Sequence, residues 1–239
     1  MTPSTPRTIN SLIFKPSAGT SPWAGLLIAL FCALLLPGCG KSASSSALDA
    51  ELAALDSSDA KARETAIMHL MDLPDGAEGE SKVIGLLKDD SADVRSTAIK
   101  FLSKFENKDP EVVAAYKSLA ASDPDAGVRD QAFGAFGTFG DQGEFIALCK
   151  EYLAGADEDK QFSGVSALSA MEGEAAAAAQ TELIAALKSK NANVRYKSAV
   201  ALGNLGAKAT AEAKAGLEAL ASDPDEQVKE SAKEALGKL

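Results

Sequence analysis

From residue 48 onward the chain alternates between an apolar stretch and a second run, set off by a polar turn, whose apolar side chains recur at helical spacing. The second run is anchored at Arg63, Arg95, Arg129, Gln161, Arg195 and Lys229, at steps of 32, 34, 32, 34 and 34 residues. Three residues after each anchor stands a small side chain: Ala66, Ala98, Ala132, Gly164, Ser198 or Ala232. Seven after it comes Leu70, Leu102, Phe136, Leu168, Leu202 or Leu236, and ten after it Leu73, Phe105, Phe139, Met171, Leu205 or Leu239. Offsets −1, +3, +7 and +10 therefore draw one apolar stripe along a helix. No alternating strand pattern competes with it.

Four residues before each anchor lies Asp59, Ser91, Asp125, Asp157, Asn191 or Asp225, each able to accept a hydrogen bond from an unpaired first-turn N–H. Upstream of each cap runs a further apolar stretch, from Leu48 to Leu55, Val83 to Leu87, Val112 to Leu119, Phe145 to Leu153, Leu183 to Leu187 and Leu217 to Leu220. Each unit reads as helix, short polar turn, helix. A hairpin this short buries too little surface to offset its ordering entropy, so neighbours must stack. The expectation is an all-α chain, an α-solenoid of six helical hairpins over residues 48–239, each touching only the next. Offset +4, which faces the following unit, holds Ile67, Ile99, Phe133, Val165 and Ala199, then Lys233. A lysine there reads as an end cap.

The segments "DSADVRSTAIKFL", "DPDAGVRDQAFGAFG", "NANVRYKSAVALGNLG" and "DPDEQVKESAKEALGKL" resemble HEAT repeats of the short phycobilisome-lyase type. The period lies below the usual HEAT range of about 40 to 47 and near the tetratricopeptide length of about 34. The Trp, Gly and Tyr of the tetratricopeptide pattern and the ankyrin Thr-Pro-Leu-His are both absent. The resemblance implies an armadillo/HEAT-like superhelix whose downstream helices line the inner surface. It also implies that Arg63, Arg95, Arg129 and Arg195 form a ladder to turn acids of adjacent units. Repeat four departs most, with Lys160 and Gln161 in place of Val-Arg and Gly164 in place of Ala, which predicts a looser helix there. Acids cluster in the turns, as at Asp123-Pro124-Asp125 and Asp223-Pro224-Asp225-Glu226, and their phase makes them caps and first-turn charges in preference to calcium ligands.

Composition then raises the question of location. The chain's formal charge is −10, but residues 1–38 hold Arg7 and Lys15 and no acid, leaving 22 basic against 34 acidic side chains, or −12, for the rest. So acidic a domain disfavours nucleic acid, and two readings of the charge are open: it steers basic protein partners, or it only keeps the domain in solution. Arg7 and Lys15 precede the apolar run Trp23 to Leu36, too short for a span of about 20 residues, so residues 1–38 read as a signal peptide. "LLLPGC" resembles a bacterial lipobox, with Cys39 as the lipidated residue and Pro37 departing from the usual small residue. By that resemblance, and with Gly40 in place of Asp after the cysteine, the protein is exported and lipid-anchored in the cell envelope, at the periplasmic face of the outer membrane. Residues 39–47 then hold the lipidated cysteine and a Ser-rich tether.

Candidate chemistry is sparse. Cys149 sits among core positions, and His69 has no second ligand at useful spacing, so no metal, cofactor, catalytic group or small-molecule substrate is evident. Function then falls to the outward offsets +1 and +5 of the downstream helices. These are mostly polar or small until Phe162, Tyr196 and Val200, which with Lys197 form a candidate protein-binding patch. Two outcomes are open for it: an exposed aromatic surface, or rotation of repeat four about Gly164 that buries Phe162. The function expected is a membrane-anchored, non-enzymatic interaction scaffold. The alternative, implied only by the resemblance, is a bilin lyase or chromophore-protein binder, which an export signal opposes.

Overall fold

A computed structural model describes residues 43–171 and 174–239. The signal segment 1–38, Cys39 and the start of the tether lie outside the described residues. Helical hairpins follow in order: α1 (Ala43–Ala54) with α2 (Ala60–Asp72), α3 (Glu80–Leu86) with α4 (Ala92–Lys104), and α5 (Pro110–Ser122) with α6 (Ala126–Phe139). Next come α7 (Gln142–Ala154) with α8 (Glu158–Ala170), the short α9 (Glu174–Ala178), α10 (Gln180–Ala186) with α11 (Ala192–Gly203), and α12 (Ala211–Ala219) with α13 (Glu226–Leu236). Among the described residues there is no strand. The all-helical solenoid expected from the period is the architecture found. Helix α1 starts inside the Ser-rich segment read as a tether, since Ala and Ser tolerate the helix that Leu48 and Leu55 anchor to the core.

The caps hold with one exception. Asp59, Asp125, Asp157, Asn191 and Asp225 each accept a first-turn N–H at the head of α2, α6, α8, α11 and α13. Ser91 has the cap backbone, but its hydroxyl accepts no cap bond; its own N–H instead donates to Asp89 Oδ1 at 2.9 Å. The periodic search over downstream helices did not find the upstream caps Asp109, Asp141 and Thr210.

The stripe is buried as its spacing demands. Ala66, Ala98, Ala132, Gly164, Ser198 and Ala232 are all sealed from water, as are Leu70, Leu102, Phe136, Leu168 and Leu202. At offset +4, Ile67, Ile99, Phe133, Val165 and Ala199 are buried, whereas the Lys233 side chain is 80% exposed. Repeat four is not loosened by Gly164. A Cβ there would lie 2.9 Å from the Cys149 carbonyl oxygen and 3.0 Å from Tyr152 Cβ, so the glycine lets α8 approach α7 more closely than alanine would.

Between hairpins the downstream helices pack in sequence, α2 on α4, α4 on α6, α8 on α11 and α11 on α13. Three arginines reinforce these junctions. Arg63 donates from Nε and Nη2 to both carboxylate oxygens of Asp89, each at 2.7 Å; Arg95 does the same to Asp123, and Arg195 to Asp223 at 2.7 and 2.8 Å. In each case Nη1 turns back to carbonyls of the arginine's own loop, Ser57, Asp89 or Ser189. Each acid stands two residues before a cap and also accepts the N–H of Ser91, Asp125 or Asp225. A bidentate pair with every remaining polar atom satisfied meets the condition under which burying charge is tolerable.

The ladder expected at Arg129 is missing. Its Nη1 donates to the carbonyls of Asp123 and Pro124, at 2.8 and 3.2 Å, but the residue that should receive the fork is Gly155. The next rung is neutral: Gln161 donates to the Gly155 carbonyl and accepts from Ser189 Oγ at 3.1 Å. Aromatic packing takes over at this junction. Phe133 lies 4.8 Å from Phe145 and stacks on Tyr152 at 5.0 Å, and the Tyr152 hydroxyl donates to the Ala120 carbonyl at 2.5 Å.

Asp89 and Asp123 are held below the ordinary carboxylate range even though burial pushes them upward, because the arginine fork, the backbone N–H and nearby guanidinium charge together outweigh it. In Asp223 the hydrogen bond from Arg195 is the leading cause of the same lowering. Such groups stabilise the fold fully above their unfolded pKa and lose that contribution as pH falls through the lowered folded value. The Arg95–Asp123 rung is the most enclosed, with side chains 9% and 2% exposed. Asp123→Asn should cost about 3 kcal/mol in urea unfolding at neutral pH, since it strands a buried guanidinium. The gap between variant and parent should close as pH drops below the carboxylate range; a gap independent of pH would show that the ion pair is not its origin.

Candidate functional site

Helices α8, α11 and α13 present successive faces on one side of the stack because their offsets −1, +3 and +7 are committed to the core. What remains outward includes Phe162 on α8 and Tyr196 on α11, which are 40% and 37% exposed and, with Met68, are the large exposed hydrophobic side chains among the described residues. Rotation of repeat four does not bury Phe162. Gly164 fixes α8 against α7 instead, and the ring stays in water.

Phe162 and Tyr196 line one cavity of about 380 Å³ together with Lys197, Gln227, Glu230 and Glu234. Towards the end of α11 a Cβ on Gly203 would fall 2.8 Å from Ala235, so α11 and α13 approach closely there. Of the four residues picked from the sequence, Phe162, Tyr196 and Lys197 meet in this groove. Val200 is half-buried and lies outside its lining, one turn further along α11. Glu230 and Glu234, on the same face of α13, add two carboxylates beside the rings. Glu230 borders the patch as its offset +1 predicts, and Glu234, at offset +5 one turn further along α13, joins it.

Phe162 also borders a second, smaller cavity of about 120 Å³ at the junction between the third and fourth hairpins. Arg129, Asp130, Tyr152, Asp159 and Lys160 share its lining. Lys160 Nζ donates to the Ala121 carbonyl at 2.8 Å and lies 5.4 Å from the centre of the Tyr152 ring. Burial pushes the Tyr152 phenol up to about 12, so it stays a neutral donor to Ala120 at physiological pH.

The other sequence candidates occupy structural places. Cys149 is fully buried in α7, and burial raises its thiol to about 12, which keeps it protonated and unreactive near neutral pH. His69 is exposed on α2, with Nδ1 2.9 Å from Glu51 Oε1. Among the described residues, no three His, Cys, Asp or Glu side chains are grouped to hold a metal ion, and no helix is long and apolar enough to cross a membrane. Cys39 lies outside the described residues.

Comparison with known proteins gives the fold its family. A designed armadillo repeat protein in complex with the peptide (KR)4 aligns with a TM-score of 0.56 at 18% identity, covering 80% of this chain and 98% of the other. Computationally designed armadillo repeat proteins for modular peptide recognition align with a TM-score of 0.56 at 19% identity, over 80% of this chain and 99% of theirs. A further designed armadillo repeat protein reaches 0.52 at 22% identity, again over 80% of this chain and 99% of the other. Comparison with curated proteins gives no match. The family model for HEAT repeats matches residues 48–137 and 146–237, and the chain belongs to that family.

Proposed function

We propose that this chain is a non-enzymatic scaffold that binds a protein segment in the groove between α8, α11 and α13 while a lipid on Cys39 holds it at the envelope membrane. One observation carries the reading: two aromatic rings stand in water at the mouth of a preformed groove, on a stack whose other outward positions are mostly polar. Exposed Phe and Tyr side chains are costly to leave solvated, and they are the residue types that anchor protein partners. Glu230 and Glu234 beside them, and the −12 charge of the chain after residue 38, favour a partner segment carrying lysine or arginine next to an apolar anchor. A basic peptide is also what the designed armadillo protein named above holds, a parallel in fold only.

The anchor rests on sequence. The apolar run ending at Leu36, the "LLLPGC" segment and the Ser-rich stretch after Cys39 support export followed by lipidation, with the outer membrane's periplasmic face as the site. Diacyl attachment supplies roughly 0.8 kcal/mol per buried methylene, enough over two chains for stable anchoring.

Replacing both rings, Phe162→Ala with Tyr196→Ala, should shift stability by no more than about 0.5 kcal/mol, as for exposed positions generally, while sharply reducing partner recovery from detergent-solubilised envelopes. Unchanged recovery would remove the groove from the function. Mass spectrometry of the membrane fraction should find a mature chain beginning at an acylated Cys39, and Cys39→Ala should leave residues 1–38 attached. A mature chain with an unmodified Cys39 would exclude the lipid anchor.

A further inference from the structure

The break in the arginine ladder leaves a vacancy of known shape. At three junctions a carboxylate sits on Nε and Nη2 of the arginine at 2.7 to 2.8 Å. At the fourth, Arg129 has the same backbone position, and its Nη1 makes the same return to its own loop. Gly155 replaces the aspartate, and among the described residues Arg129 forms no ion pair. Arg129 instead lines the cavity of about 120 Å³ with Lys160, Tyr152 and Phe162.

We propose that this cavity is a carboxylate seat, in which an acid supplied by a ligand occupies the place that Asp89, Asp123 and Asp223 occupy at the other rungs. Lys160 adds a second cation, held in place by its bond to the Ala121 carbonyl and by the Tyr152 ring beneath it, and it too forms no ion pair among the described residues. Asp130 and Asp159 also line the cavity, yet neither comes within ion-pair distance of Arg129 or Lys160; Asp130 Oδ1 accepts from Ser163 Oγ at 3.4 Å. The volume suits the end of an acidic side chain or a chain terminus and is well short of the roughly 300 Å³ at which drug-sized pockets begin. A planar fork selects a planar, bidentate acceptor, so a carboxylate is the fitting anion.

The position is vacant by side chain and not by backbone. Gly155 has φ −73° and ψ 171°, extended values open to any residue and near those of Asp123 and Asp223. A Cβ there would meet nothing nearer than the Tyr152 carbonyl oxygen at 3.4 Å. Nothing in the local geometry excludes an aspartate. The open fork also borders the groove through Phe162, so one extended segment can place a carboxylate at Arg129 and an apolar side chain against Phe162 and Tyr196.

The test is a titration of the full chain with sodium acetate against sodium chloride at constant ionic strength, read from the arginine Nε–H resonances. Arg129 should shift saturably with acetate alone, while Arg95 and Arg195, already paired, should not respond. Gly155→Asp should close the rung internally, abolish the acetate response of Arg129 and raise the melting temperature. Should that variant fail to fold, Lys160→Gln provides the control, read from the same Arg129 resonance, with acetate affinity falling about tenfold. Two N-acetylated probes separate the sources: acetyl-Gly-Glu-Gly-amide offers a side-chain acid and acetyl-triglycine a terminal one, and preference for either names the ligand. An Arg129 response equal in acetate and chloride, or one that survives Gly155→Asp, overturns the seat. Only the peptide arm rests on the scaffold reading; acetate binding without partner capture would overturn that reading and leave the seat standing.

Discussion

A two-helix hairpin of this length has one apolar face and nothing of its own to cover it. Every strong feature of the chain follows from covering that face with the next hairpin. Small side chains at offset +3 bring the helices close, and apolar side chains at offset +4 reach across to the next hairpin. The Arg–Asp rungs belong to the same task. An arginine on one downstream helix and an aspartate in the next unit's turn meet only when the two hairpins are in register, and both oxygens must be used to offset desolvation. Apolar burial supplies most of the stabilisation, and the rungs fix the angle at which it is achieved.

That division explains why the junction between the third and fourth hairpins differs from its neighbours. Gly155 removes the acid, Gln161 and Ser189 reduce the following rung to a neutral pair, and Lys160 replaces the valine of the apolar stripe. Register is kept by rings instead: Phe133, Phe145 and Tyr152 form a cluster, and the Tyr152 hydroxyl ties α7 to α5. At this junction a ring, Phe133, stands where Ile, Val or Ala is found elsewhere at offset +4, and residues of α6, α7 and α8 beside it line a cavity. The side chains beside that opening, Phe162 and Lys160, are those that break the repeat pattern. In an array whose regular positions are committed to packing, irregular positions are where binding can be added without loss of the stack.

The period, the caps and the buried stripe were legible in the sequence because each recurs, and recurrence separates a structural requirement from local accident. Phe162 and Tyr196 were legible as outward by the same phase argument. The groove was legible in part: Glu230 borders the patch by the same phase, whereas Glu234 joins it only through the packing of α13 on α11, and Asp130 lies outside its lining. Gly164 acts against the expectation of a looser helix: the missing methyl group lets α8 close on the Cys149 carbonyl, a contact that sequence does not display. Arg129 was grouped with the other arginines because the anchor is visible in sequence, while the missing partner is a glycine that carries no signal until the rung geometry is known.

The acidic surface and the cationic opening act at different ranges. The chain after residue 38 carries −12, a field that favours approach of basic segments and opposes acidic ones. At physiological ionic strength that field decays over about 8 Å, comparable to the spacing of adjacent helices at about 8 to 10 Å. Encounter is therefore governed by the net charge, but docking is governed by the few groups within reach. On the proposed reading, a segment with basic residues and one carboxylate satisfies both, entering along the field and then setting its acid on Arg129 while its cations meet Glu230 and Glu234. On that reading a uniformly acidic segment fails at the first stage and a uniformly basic one leaves Arg129 unpaired, so the complementary ligand carries two charges of opposite sign with an apolar group between them.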